Sequence, residues 1–246
     1  MKRLLINADD FGFTSDVNAG IVHAHREGIL PSATLMATGD AFEDAVHLAR
    51  ANPSLDIGCH LVLVQGRSLI TGRPFPDGPQ GLIPLLLKRR LDVEAELRAQ
   101  LEKMIAAGIR PTHLDAHKHT HLLPGVFRAV VRLAREFRVP FVRVPFARRY
   151  YRRIALRQGV YTTDHFFGFG LTGSLTEQTL ATLLRRLSSG VTELMCHPGY
   201  LGPELKQAQT RLKESRLREL EALTSPRIRA LIADLGIELA SFRRAE

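Results

Sequence analysis

Short apolar runs alternate with amphipathic segments along nearly the whole of this 246-residue chain, and that rhythm narrows the choice of fold sharply. Residues 3–7 (RLLIN) read as a buried strand, and 16–28 as a helix with Val17, Ile21 and Ala24 on one stripe and Gly28 as its stop. Residues 33–38 form the next strand, 41–51 a helix closed by Asn52-Pro53, and 55–64 (LDIGCHLVLV) a strongly apolar strand. Residues 65–81, rich in glycine and proline, read as a loop long enough to wall a site. A helix over 93–107, a histidine-rich strand from Thr112, a helix over 125–137 and a short strand over 141–144 follow. Strands at 160–169, 191–196 and 237–242 and helices at 176–187, 212–223 and 226–235 complete the pattern. Strand then helix, repeated about seven times, predicts a parallel sheet with crossover helices. The expected fold is α/β, a distorted (β/α) TIM-like barrel with residues 1–246 as one domain; an open doubly wound sheet is the second choice. In both, chemistry gathers at the C-terminal ends of the strands.

Residues 112–121, THLDAHKHTH, hold four histidines and one aspartate. His113, Asp115 and His117 alternate with Leu114 and Ala116, which puts all three on one face of a strand. His119 and His121 carry the alternation past the strand end. Neutral imidazole with carboxylate is the usual donor set for zinc and its neighbours. Buried histidines need partners, so a purely hydrogen-bonded place is expected only for His119 or His121. Asp9 and Asp10 close the first strand. Adjacent carboxylates repel and need compensation, which a cation on one supplies while the other acts as a base. Strand neighbours point to opposite faces, so both reach one pocket only if the chain turns or bulges there, next to Gly12. His60 lies inside a strand, with Cys59 on the other face as a small hydrophobe. His197 ends another strand, where an imidazole serves as acid or base. Asp9, Asp10, His60, Asp115, His117 and His197 thus all fall near strand C-termini, where one barrel mouth collects them. The chemistry this suggests is metal-assisted hydrolysis: one aspartate and two histidines hold a divalent cation, a second aspartate takes the proton of water, and a histidine protonates the leaving amine. No GxSxG elbow and no GxxxxGK[ST] loop is present, which disfavours a serine hydrolase or an ATPase. A phosphoesterase on the same barrel is a rival reading.

The net charge of +9 and pI near 10.1 favour anionic neighbours, or else a solvated arginine-rich face. Residues 147–158 (ARRYYRRIALRQ) carry five arginines and read as a basic amphipathic helix. Nucleic-acid binding rests on that charge alone, since no helix-turn-helix, finger or RNP-type motif accompanies it. Cys59 and Cys196 form no CxxC and no disulfide framework, so a structural zinc site is disfavoured and a reducing compartment expected. The start, MKRLLINADDFG, does not read as a signal peptide. No apolar run approaches the ~18–20 residues that span a bilayer.

NADDFG at 7–12, the GCHL histidine His60, THLDAHKHTH and the MCHP histidine His197 resemble, in the same order up to about Tyr200, the YdjC-like carbohydrate deacetylases. The resemblance implies a distorted (β/α) barrel with one divalent metal ion, zinc or magnesium first, held by Asp10, His60 and His117. It implies Asp9 as general base and His197 as its acid partner, and Asp115, His119 and Arg143 are expected to contact substrate. AHKHTHLLPGV, the RVP at 143–145, HFFGFGLTGSLT at 165–176 and GVTELMCHPGY look like the deacetylases associated with hopanoid biosynthesis. General chito-oligosaccharide enzymes usually carry a more histidine-rich step with Ser where this chain has Ala116-His117-Lys118. The subgroup implies an N-acetylglucosaminyl hopanoid lipid as substrate, with chito-oligosaccharide deacetylation as the alternative. A cytoplasmic enzyme is expected from the cysteine usage, and the subgroup adds peripheral contact with the inner membrane face. Residues 148–157 would then face the headgroups, with Tyr150, Tyr151, Ile154 and Leu156 at the interface. No nucleic-acid partner is expected, and the oligomeric state stays open, a dimer included.

Overall fold

The computed structural model describes residues 1–146 and 148–244. Its central strand is β1 (Lys2–Phe11). Leu4, Ile6 and Ala8 of β1 pack under the helices, whereas Leu5, Asn7 and Asp9 point to the inside of the curled sheet, as the period of two requires. Around it run α1 (Ser15–Glu27), β2 (Ser32–Leu35), α2 (Phe42–Ala51), β3 (Asp56–Leu61), α3 (Pro79–Leu87), α4 (Val93–Ala106), β4 (His113–Ala116), α5 (Pro124–Glu136) and β5 (Phe141–Val142). Then come α6 (Arg148–Leu156), β6 (His165–Phe167), α7 (Glu177–Arg185), β7 (Gly190–Cys196), α8 (Pro203–Gln207), α9 (Glu214–Thr224), α10 (Pro226–Asp234) and β8 (Ile237–Leu239). Local chemistry sets several starts: Thr14 caps α1 by accepting from Val17 N–H, and Thr176 and Thr179 make a reciprocal capping box at α7.

Among the described residues the strands run in the order β5-β4-β3-β2-β1-β7-β6, all parallel, with β8 beside the first residues of β1. The two edges of this curled sheet come together where Val142 N–H donates to the Tyr161 carbonyl and Tyr161 N–H to that of Pro140, at 3.0 and 2.7 Å. The fold is a distorted TIM-like barrel, as the alternation predicts. The inside is layered. Leu5, Phe141, Val191 and Phe242 plug the N-terminal end. Above them His113 stacks on Phe242 at 3.7 Å and its Nε2 meets Asn7 Oδ1 at 2.8 Å. Gly58 makes room for that ring, because a Cβ there would lie 2.6 Å from it. Above that lie the polar side chains of Thr34, His60, Asp115, Arg143 and Glu193.

The departures from expectation have local causes. The predicted loop over 65–81 begins as a small hairpin with Arg67 opposite Pro74, held to α4 where Glu96 accepts from Ser68 Oγ and Leu69 N–H. Its end enters α3, which was not foreseen because Pro79, Gly81 and Pro84 read as breakers; Pro79 instead occupies the first turn, where no N–H is needed. The strand β4 stops at Ala116, and His117 opens a tight turn in which Lys118 and His119 take left-handed φ values of 51° and 53°. His119 and His121 therefore do not continue the strand alternation. Ala147, at the start of the predicted basic helix, lies outside the described residues. Among these residues no helix is long and apolar enough to cross a membrane, and Cys59 and Cys196 are buried, unbridged thiols.

Candidate active site

The chain end of β1 solves the problem of two neighbouring aspartates. Pairing with β2 slips between Ala8 and Phe11, and Asp10 takes φ 68°. That bulge, costly for a non-glycine residue, turns Asp10 into the same space as Asp9. Met36 N–H and Asn18 Oδ1 hold the Phe11 carbonyl and the Gly12 amide on either side of the turn.

Asp10, His60 and His117 meet there. Asp10 Oδ1 lies 3.4 Å from His60 Nε2 and 3.1 Å from His117 Nδ1, and the two nitrogens are 3.3 Å apart. Ligands bound at ~2.0–2.1 Å to one cation stand roughly 3.0–3.4 Å from one another, so the three atoms fit a shared ion. Their backing fits too. His60 Nδ1 faces Asp115 Oδ1 at 2.7 Å and His117 Nε2 faces Gln65 Oε1 at 2.9 Å. Both outer contacts are with acceptors, so each ring places its proton there and turns a bare lone pair to the centre. Among the described residues the buried carboxylates of Asp9, Asp10, Asp115 and Glu193 pair with the guanidiniums of Arg143 and Arg216 and with the rings of His60 and His117. Burial opposes charge on His60, but Asp115, Asp10 and Asp9 prevail and raise its pKa to about 10. A proton and a metal therefore compete for that ring. A second grouping, Asp9 with His60 and Asp115, fits no metal, because the Arg143 guanidinium already lies between the two carboxylates.

Arg143 is the hub of the layer beneath. It donates through Nη1 and Nη2 to both oxygens of Asp9 at 2.7 Å, through Nε to Glu193 Oε1 at 2.6 Å, and also reaches Asp115 Oδ2 at 2.7 Å. Burial opposes ionisation of Asp9, yet Arg143, then His60 and His197, hold its carboxyl well below the usual range. Asp10 is likewise opposed by burial and held low, chiefly by Arg216, whose Nη2 meets Oδ2 at 2.5 Å. Burial pushes the carboxyls of Asp115 and Glu193 up against the pull of Arg143.

A cavity of about 620 Å³ opens above these groups, lined by Asp9, Asp10, His60, His117, His119 and His197 together with Lys118, Phe169 and Met195. The side chains expected to bind metal and move protons thus stand around one space. The substrate contacts need correction. Asp115 is fully buried behind His60, with Thr34 Oγ1 and Arg143 on its other oxygen, and does not line the cavity. Arg143 is 2 % exposed with its donors spent on carboxylates. Both hold the site's shape rather than face a ligand. His119 does line the cavity, its ring 5.4 Å from Phe169 and 6.0 Å from Phe146, and burial keeps it neutral. His121 takes the purely structural place, its Nε2 2.9 Å from the Arg143 carbonyl oxygen. His197 is held by the loop after β7, where Gly199 packs so near Gly20 that a Cβ on Gly20 would lie 2.4 Å from its Cα.

Sequence reasoning missed Gln65, Glu193, Arg216 and Glu219. Glu193 carried a signal, a charge inside an otherwise apolar strand; Arg216 and Glu219 carried none, because on a charged helix buried and solvated charges look alike.

On the basic segment, Tyr151 packs on Phe127 at 4.6 Å and bonds the Leu122 carbonyl, and Ile154 is half-buried. Tyr151 thus faces the protein interior, contrary to its expected place at a membrane interface. Tyr150, Leu156 and the arginines 149, 152, 153 and 157 remain exposed.

Comparison with known proteins adds the following. Residues 3–234 match the family model described as YdjC-like protein. A carbohydrate deacetylase of Geobacillus stearothermophilus is 37 % identical over 98 % of this chain and 97 % of its own length. A chitooligosaccharide deacetylase of Yersinia enterocolitica is 35 % identical over 98 % of both. A crystal structure from Enterococcus faecalis V583, provisionally described as a cellobiose-phosphate cleavage protein, superimposes with a TM-score of 0.85 at 28 % identity over 98 % of each chain.

Proposed function

The chain belongs to the YdjC-like family, and on that premise we propose that it is a metal-dependent carbohydrate N-deacetylase, working as one catalytic domain over residues 1–246. The observation that carries this reading is the convergence of Asp10, His60 and His117 on one point between Asp9 and His197. Those three residues would hold a divalent cation, zinc or magnesium first. Bound there, it supplies a Lewis acid that polarises an amide carbonyl and acidifies water. Asp9, kept ionised and aimed by Arg143, starts without a proton and takes one from the attacking water. His197 stands in the same cavity and serves the leaving nitrogen. Arg216 and Gln65 fix the orientation of Asp10 and His117.

The finer reading is an N-acetylglucosaminyl hopanoid lipid as substrate, with a chito-oligosaccharide as the alternative. Support comes from the sequence motifs around residues 143–145 and 165–176 and from the aromatic rim, where exposed Phe146 and Phe169 touch at 4.6 Å beside His119. The test is acetate release from the glycosylated hopanoid in mixed micelles beside diacetylchitobiose, each with and without chelator. The expected result is faster release from the lipid, abolished by chelator and restored by added divalent ion. Acetate from chitobiose alone selects the alternative; chelator-insensitive release, or none, removes the metal-dependent deacetylase reading.

Peripheral membrane contact belongs to the same reading. The exposed arginines 149, 152, 153 and 157 surround Tyr150 and Leu156 on α6, a basic face with apolar anchors. At about 1 kcal/mol per arginine near an anionic surface, replacing all four by glutamine is expected to cut binding to phosphatidylglycerol-rich vesicles by up to roughly three decades. Co-sedimentation measures this. Unchanged binding returns α6 to the role of a solvated helix.

A further inference from the structure

Two fully buried ionisable side chains on α9, three residues apart, back different parts of the pocket. Arg216 holds Asp10, and Glu219 Oε2 accepts the backbone N–H of His197 at 2.6 Å. Both are 1 % exposed, and the i, i+3 spacing places them on one face of the helix.

Glu219 and His197 are each left with an unused atom. Among the described residues Glu219 Oε1 and His197 Nδ1 are buried without a hydrogen-bond partner, and Nδ1 lies 4.0 Å from Glu219 Oε2. An unmatched buried polar atom is costly, and here two belong to side chains that approach to 4.0 Å, just beyond hydrogen-bond distance. Rotation of the carboxyl group about its last bond exchanges the oxygens that face the ring. His197 is surrounded by Asp9 and Asp10 on β1, His60 on β3 and Arg216 on α9. Glu219 faces Arg216, Asp9 and the amides of His197 and Gly173, the last outside hydrogen-bonding geometry. Burial is the largest influence on both. It pushes the imidazole down to about 4 and the carboxyl up to about 7. At neutral pH the ring is therefore uncharged, and the nearest group able to hold a proton for it is Glu219.

We propose that Glu219 is the positioning partner of His197, holding the proton that the ring passes to the leaving nitrogen; this rests on the deacetylase reading above. The step balances. As the C–N bond breaks, Nε2–H of the neutral ring goes to the departing nitrogen while Glu219 O–H passes its proton to Nδ1. The pair is left as a neutral ring protonated on Nδ1 beside a carboxylate. Water has become the hydroxyl of acetic acid and a proton on Asp9; Asp9 releases that proton to solvent, and one proton taken up at His197 Nε2 sends the Nδ1 proton back to Glu219, which restores the pair.

The experiment compares the metal-loaded wild type with Glu219→Gln and Glu219→Asp by kcat, KM and pH profile of acetate release, by thermal melting, and by nitrogen NMR of 15N-histidine-labelled protein. Wild-type kcat should fall above about pH 7 as Glu219 ionises. Glutamine keeps an acceptor for the His197 amide but has no proton to give. Its kcat should drop about 10²-fold, with KM nearly unchanged and the alkaline fall gone. Aspartate should recover part of that fall. Wild-type kcat in Glu219→Gln overturns the proposal, and so does a lower kcat that keeps the alkaline fall, since that is mere support of the loop. If the wild type releases acetate from no N-acetyl amino sugar, the deacetylase reading fails, and the NMR arm decides separately whether the pair exists. His197 must then shift its nitrogen resonances or its titration in Glu219→Gln, and unchanged spectra overturn the pairing.

Discussion

Asp9→Asn is expected to keep the metal and lose turnover by about 10³-fold, inside the 10²–10⁴ range for removal of a general base. Asparagine preserves the side chain's shape and leaves a carbonyl oxygen for Arg143, but it cannot take a proton from water. Asp9 is not one of the three atoms that converge within 3.1–3.4 Å of one another, so ion affinity should not depend on it. His117→Ala is the matched control: it removes one of the three donors and should lose ion and turnover together. Metal per chain after dialysis, beside acetate release, reads both. Normal turnover in Asp9→Asn moves the base elsewhere, with His197, a neutral ring in the same cavity, the next candidate. Loss of the ion in Asp9→Asn makes Asp9 a ligand and overturns the division of labour between the two aspartates.

That division was legible in the sequence only as a condition. The pair Asp9-Asp10 demanded a turn so that both could enter one pocket, and the left-handed φ of Asp10 with the slip in pairing to β2 is that turn. His60 and His117 were legible because the strand rhythm placed them at C-terminal ends. The role of Asp115 was not. Period two put it on the inner face correctly, but depth along the barrel axis separates a cavity wall from a buried brace, and no local pattern encodes depth. Arg143 misled for the same reason. A lone arginine after a short strand reads as a ligand contact, and only the arrival of Asp9, Asp115 and Glu193 from three other strands shows it to be a hub. The edges of the barrel were least legible. β5 and β6 are two and three residues long, and the contact that brings the edges together at Phe141 and Tyr161 is between backbones. Helix α3 escaped because composition marks prolines as breakers without saying which turn of a helix they will occupy.

Arg143→Met should be the most destabilising single change in the site. Methionine keeps much of the length and apolar stem but leaves Asp9, Asp115 and Glu193 facing one another without a counter-charge. Breaking a buried ion pair by removing one partner costs about 3–5 kcal/mol, and this arginine serves three carboxylates. At roughly 2–4 °C per kcal/mol for a chain of this size, a fall in Tm of about 10 °C or more is expected at pH 7–8. The pH dependence carries a sign. With the guanidinium gone, burial raises the three carboxyl pKa values above their unfolded values, so the folded protein binds more protons than the unfolded chain through the mildly acidic range. Stability of the variant therefore rises as pH falls. In the wild type Asp9 and Asp10 are held low, a contribution present above their unfolded pKa of about 3.8 and lost only as pH falls through the depressed values. The gap between the two melting temperatures should thus narrow from pH 8 towards pH 5. Adding Glu193→Gln to Arg143→Met removes one of the stranded charges and should recover part of the loss. An arginine whose task was to grip substrate would behave otherwise: Arg143→Met would melt like the wild type at every pH and raise KM alone.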